Sequence, residues 1–152
     1  MELMLTIGIL AVIIITVTAM FFRAFRGSSK TDTVVTLDQN AQLTLAVLER
    51  FVRNAQSVTI GGLECPVSGN SLEVANWDGG TTTFALSDGR VASNGGAISE
   101  AIVTISNLSF SCVRVEGVPD QVVITFDAQR DDVGGGAETS ASYHSVVDLR
   151  NY

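Results

Sequence analysis

Apolar residues fill positions 3–22 almost without interruption: LMLTIGILAVIIITVTAMFF. Thr6, Thr16 and Thr18 are the only polar side chains there, and a helix lets each hydroxyl bond back to its own backbone. At ~1.5 Å per residue such a helix crosses a hydrocarbon layer. Gly8 is its one weak helix former. GSSKTD, residues 27–32, reads as a break or a frayed turn. Beyond it the apolar positions thin out to a helical period. Val34, Leu37, Ala41, Leu45, Leu48, Val52 and Ala55 form one stripe, with Asp38, Gln39, Gln42, Glu49, Arg50, Arg53 and Asn54 off it. That stripe must bury against something.

Gly61-Gly62 is expected to end the helical region, after which the period changes to two. Residues 72–76 and 81–86 read as a hairpin around Asp78-Gly79-Gly80, and Ser87-Asp88-Gly89-Arg90 as a further turn. Residues 102–115 make a long strand, bulged or broken near Asn107. QVVITFDA, residues 121–128, follows the turn at Val118-Pro119-Asp120, and residues 139–149 form the last strand. DDVGGGAE, residues 131–138, reads as a flexible loop. Antiparallel strands with one apolar face need a cover, and the stripe on the helix supplies it. The predicted class is α+β: a long N-terminal helix, membrane-spanning in its first half and amphipathic in its second, packed on an antiparallel sheet of about four to five strands. The expected divisions are 1–26 for the apolar helix, 27–56 for its amphipathic continuation and 57–152 for the sheet head.

Charge sharpens this division. From Ala55 onward there are 12 acids against 4 bases, so the head is acidic within a chain of net charge −7. That argues against direct nucleic-acid binding, which needs clustered Lys and Arg. Arg23, Arg26 and Lys30 flank the apolar segment, and the positive-inside rule places that end in the cytoplasm. Cys65 and Cys112 point the other way. They belong to no CxxC or Cys/His cluster, and a pair beside a membrane segment suits an extracytoplasmic disulfide, the alternative being two reduced buried thiols. A basic leader ahead of Met1 would reconcile the two orientations. The apolar segment does not read as a cleavable signal peptide: the run is too long, and it lacks a basic front and a small-x-small site.

Catalytic patterns are sparse. His144 stands alone in a strand pattern, with no partner constellation around it. No GxSxG, Walker loop or GxGxxG occurs, and Gly134-Gly135-Gly136 reads as loop. Asp131, Asp132 and Glu138 are a weak calcium candidate without EF-hand spacing. Trp77 is expected to pack at a hairpin end, with ligand binding as the weaker option, and Phe21, Phe22 and Phe25 to pack between helices or at a membrane interface. The expectation is a non-enzyme with no cofactor and no metal.

One short pattern goes further. MELMLTIGILAVIII, an acid four places before Thr6 and then aliphatics, resembles the N-terminal segment of type IV pilins and type II secretion pseudopilins. LAVLERFVRNA (45–55) is similar to the helix end of those proteins. TFALSDGRV (83–91), VTISNLSF (103–110) and SYHSVVDLRN (142–151) are similar to their strands. The resemblance implies a leader removed by a prepilin peptidase, methylation of the new N-terminus, and a few residues preceding Met1. It implies that Glu2 pairs with the protonated N-terminus of a neighbouring subunit and sets axial register, because an unpaired charge among apolar helices is costly. Leu3, Leu5, Ile7, Leu10, Ile14, Phe21 and Phe22 would then pack the filament core. The implied partners are further copies of the chain, other pilins, the bacterial inner membrane before assembly, and the assembly machinery. The implied destination is an extracellular type IV pilus filament, with a minor pilin or pseudopilin as the alternative. The helix-kinking proline common in that family is missing, so melting of the helix would start at Gly8 or at residues 27–29. From a different class stands a membrane-anchored binding protein that never polymerises and uses the loops at 78–80 and 131–138.

Overall fold

A computed structural model describes residues 2–114, 116–130 and 138–150, and for Glu2, Leu5 and residues 24–30 it describes the backbone alone. Among the described residues α1, Glu2–Arg53, is followed by ten strands. These are β1 (Ser57–Ile60), β2 (Leu63–Glu64), β3 (Val67–Gly69), β4 (Ser71–Ala75), β5 (Thr81–Ser87), β6 (Arg90–Ser93), β7 (Gly96–Ala97), β8 (Thr104–Val113), β9 (Gln121–Arg130) and β10 (Thr139–Asp148). The α+β class and the antiparallel pairing match the sequence reading. The strand number does not. Instead of one sheet of four or five strands there are two, a larger one ordered β2-β1-β4-β5-β6-β7 and a smaller one ordered β10-β9-β8-β3. The additional strands are two to four residues long, too short for a period of two to stand out.

Gly61-Gly62 is corrected as well. Helical structure has already ended at Arg53, and the two glycines turn the β1–β2 hairpin, with φ of +59° and +79° that only glycine adopts freely. The β4–β5 hairpin forms where the alternation placed it, with Leu72 opposite Phe84 and Val74 opposite Thr82. The bulge near Asn107 is present too: the β8–β9 register shifts between Ser106 and Ser109, and Asn107 sits at φ +52°.

The distal half of α1 packs on β9 and β10. Leu37, Ala41, Leu48, Val52 and Ala55 are buried, as the stripe requires, and join one core with Leu72, Phe84, Phe110, Ile124 and Phe126. Phe51 meets Phe84 edge-on with centroids 5.1 Å apart, which ties the helix to the larger sheet. Two members of the stripe are corrected. Val34 is 43% exposed and Leu45 only half-buried, while Thr33 and Thr44 lie fully inside. The reason is geometric. Thr33 lies one turn before Leu37, and Thr44 three after Ala41, on the buried line itself. Val34 lies about 100° round the helix from that line. Burying Thr44 costs little because its hydroxyl donates to the Asn40 carbonyl at 2.9 Å.

Cys65 and Cys112 form a disulfide with both residues buried and their Cα atoms 5.3 Å apart. It joins the β2–β3 link to β8, beside the Val67–Cys112 register pair. The smaller sheet is pinned to the helix by polar contacts. Tyr143 donates its hydroxyl to Asp38 Oδ1 at 3.2 Å, and Ser145 donates to Glu49 Oε1.

Candidate functional site

The first half of α1 is the chain's most unusual surface. Leu3, Ile7, Leu10, Ile14, Phe21 and Phe22 are all exposed, and none of the window Thr6–Arg23 is buried against the rest of the protein. The three threonines leave no hydroxyl unmatched. Thr6 donates to the Leu3 carbonyl, Thr16 to Val12 and Ile13, and Thr18 to Ile14. With hydroxyls turned inward, only hydrocarbon faces outward. That is the composition an apolar solvent or other apolar helices would cover. By length and composition this helix is able to cross a membrane. The side chains of Glu2, Leu5 and Phe25, singled out above, lie outside the described residues, as do the loop acids Asp131 and Asp132 and the glycines 134–136.

The remaining sequence candidates do not converge. His144 is exposed on the outer face of β10, opposite Thr125, on the side away from α1. Glu138 is exposed. Trp77, expected to pack, is 59% exposed. Its turn closes on itself, with Asn76 N–H donating to Gly80 O, Gly79 N–H to Asn76 O and Gly80 N–H to Asp78 Oδ1, and this leaves the indole at the outer corner. Among the described residues the one group with metal-ligand proximity is Cys65, Cys112 and Asp120. Both sulfurs are in the disulfide, and Asp120 is held by Arg114 through Nε at 2.9 Å and Nη2 at 2.8 Å. The donor set therefore does not suit a metal. The hydrogen bond from Arg114 also holds the Asp120 carboxyl below its usual range, with burial opposing it.

Surface hollows are shallow. A polar one of about 490 Å³ lies over Gln56, Thr59, Glu64, Arg114 and Asp120. A mainly apolar one of about 470 Å³ is lined by Val47, Arg50, Phe51, Asn54 and Asn76.

Two features escaped the sequence reading. Asp127 accepts from Asn107 Nδ2 at 2.7 Å and from Ser142 Oγ at 2.6 Å, which lowers its pKa and clasps the β8 bulge to β10. Only the register of three strands brings those residues together. The second is Arg130, whose Nη1 is buried with no hydrogen-bond partner among the described residues. Here a signal existed: in QVVITFDAQR the inward positions are Val122, Ile124, Phe126 and Ala128, and Arg130 continues that alternation. Comparison of the chain with protein-family models, curated proteins and solved structures finds no match in any of the three, so its function must be read from this exposed helix and the head it carries.

Proposed function

We propose that the chain is a pilin-like structural subunit, held in a bacterial inner membrane by residues 3–22 and then polymerised into an extracellular type IV pilus filament. The observation that carries this reading is the continuity of α1, Glu2–Arg53: one end exposes a run of apolar side chains between Leu3 and Phe22 and the other is bound into a folded acidic head. A lipid anchor needs the first property. A filament uses both, because apolar helices bundle at the axis while the heads form the exterior. The N-terminal pattern MELMLTIGILAVIII supports the same reading by its resemblance to prepilins. Bundled apolar helices specify stagger poorly. Glu2, needing a cationic partner among them, acts as the register device. Further copies, other pilins, a prepilin peptidase and the assembly machinery are the partners. A minor pilin or a type II secretion pseudopilin is the near alternative, and abundance separates them, since a major pilin is the bulk of its filament.

The competing class is a membrane-anchored extracytoplasmic binding protein that does not polymerise. Cryo-electron microscopy of material sheared from cells expressing the chain decides between them. The expected result is filaments with residues 3–22 in their core and Glu2→Ala cells without filaments. A chain found solely as a membrane-bound monomer where pili form, indifferent to Glu2→Ala, gives the anchored reading instead.

A further inference from the structure

Two patches of the head expose apolar side chains among the described residues, and they carry opposite charge. The first lies along α1. Leu43, Val47, Arg50 and Asn54 recur every three or four positions and so share one side of the helix. Leu43 precedes the buried Thr44 and Val47 the buried Leu48, which turns this side about 100° from the buried line. Leu43 is 58% exposed. Val47, Arg50, Phe51 and Asn54 line the apolar hollow together with Asn76, whose chain neighbour is the exposed Trp77. The guanidinium of Arg50 makes no ion pair or hydrogen bond with any described residue. An exposed Trp and a free Arg beside apolar surface are the residue types enriched where protein interfaces concentrate their binding energy.

The second patch lies past the end of α1. Gln56, Ser57 and Thr59, which follow the helix, line the polar hollow together with the turn between β8 and β9. Leu63 in β2 and Val118 in that turn are exposed. Glu64 and Glu116 stand beside them and line the same hollow. Asp120 is held by Arg114, whereas Glu64 and Glu116 are in no ion pair among the described residues.

We propose that these two patches meet between copies of the chain. The acidic end of one head seats on the Arg50 side of the next, with Leu63 and Val118 against Leu43, Val47 and Trp77, and with Glu64 and Glu116 facing Arg50. Charge selects a second copy as the occupant. From Ala55 onward 12 acids stand against 4 bases, so two heads repel over most of their surface and attract where a free base meets free acids. The two patches are also different. A contact of this kind leaves one patch of each sort open on every added copy and repeats without closing, whereas a self-complementary patch stops at a dimer. The inference deepens the subunit reading and rests on it. It also assigns a stagger. The hollow spans Val47 to Asn54, about 10 Å of helix at ~1.5 Å per residue, and the acidic patch begins past that end. Seated copies are therefore displaced along the helix axis by on the order of 10 Å rather than standing level as in a flat membrane cluster.

The test is intermolecular disulfide capture in cells expressing the full chain, read in the membrane fraction and in sheared filaments. Leu43→Cys and Val118→Cys are placed in separately tagged copies, and the denaturation midpoint of the head checks that each variant folds. Expected is a cross-linked dimer in the mixture and none in either variant alone, because the contact joins unlike patches. Arg50→Glu in the Leu43→Cys copy should cut capture about tenfold, and Glu64→Lys with Glu116→Lys in the Val118→Cys copy should restore it. Filaments that form without capture between positions 43 and 118 overturn the inference and leave the subunit reading standing. Capture in membranes of cells that make no filaments keeps the contact and removes the filament. Neither capture nor filaments overturns both. Capture within Leu43→Cys alone, capture of that copy solely by a different protein, or capture indifferent to Arg50→Glu overturns the pairing of these patches.

Discussion

The two halves of α1 share a backbone conformation and differ in what covers them. In residues 31–53 one line of side chains, Thr33, Leu37, Ala41, Thr44, Leu48 and Val52, is buried by the chain's own sheets. In residues 3–22 the side chains point outward all round and the protein covers none of those described. The first case needs amphipathicity, because burying one face leaves the other to water. The second needs uniformity, because lipid or neighbouring helices approach from every side. A helix hydrophobic all round therefore marks where the protein depends on something outside itself. A helix with a stripe marks where it is self-sufficient.

Substitutions on either side of that divide should separate head stability from assembly. The largest effect is expected in the core. Phe126→Ala removes a buried ring stacked on Tyr143 at 5.5 Å. It should lower head stability by about 3–5 kcal/mol in chemical denaturation. Ile14→Ala should leave the head's denaturation midpoint unchanged while weakening membrane retention or filament yield. Equal effects of the two on head stability would break the comparison.

Next comes the disulfide, which closes a chain separation of 47 residues. Replacing both Cys65 and Cys112 with Ser should cost the head about 2–4 kcal/mol by denaturation, leaving insertion of the apolar segment intact in a carbonate-extraction assay.

A smaller effect is expected from pH. Burial, then the nearby Asp38 charge and the hydrogen bond to it, push the Tyr143 pKa up to about 12 from 10. The folded state thus holds a proton that the unfolded chain releases first. The contribution of Tyr143 to stability is complete below pH 10 and is lost as pH rises towards 12. A denaturation midpoint followed across that window should fall more steeply for the wild type than for Tyr143→Phe. Parallel curves would mean the Tyr143–Asp38 contact does not hold the helix to the sheet in solution.

The smallest effect sharpens the edge of the stripe. Val34→Ser should change head stability by no more than about 0.5 kcal/mol, because the side chain faces outward, whereas Leu37→Ala should cost about 2–5 kcal/mol. Thermal melts of the two variants check the pair.

How far the residues alone reach follows from the range of the interactions involved. The period of Leu37, Ala41, Leu48 and Val52, the hairpin around residues 78–80, the bulge at Asn107 and the outward hydrocarbon of residues 3–22 are properties of neighbouring positions. They were legible because the helical and extended periods are local. The choice of Thr33 over Val34 was not, since composition favours valine and only the rotation of α1 against β9 and β10 selects the threonine. The division into two sheets was hidden for a similar reason: strands of two to four residues exist by pairing with partners elsewhere, not by their own pattern. The clasp of Asn107, Asp127 and Ser142, and the partnerless Nη1 of Arg130, depend on register across three strands and on how the helix lies over them. Sequence by itself determined that this protein has an apolar helix seeking an outside cover and a separate head with an alternating core, because both are consequences of local periodicity. Tertiary structure alone decided which polar groups the head satisfies among the described residues, because hydrogen-bond satisfaction is settled between residues far apart in the chain.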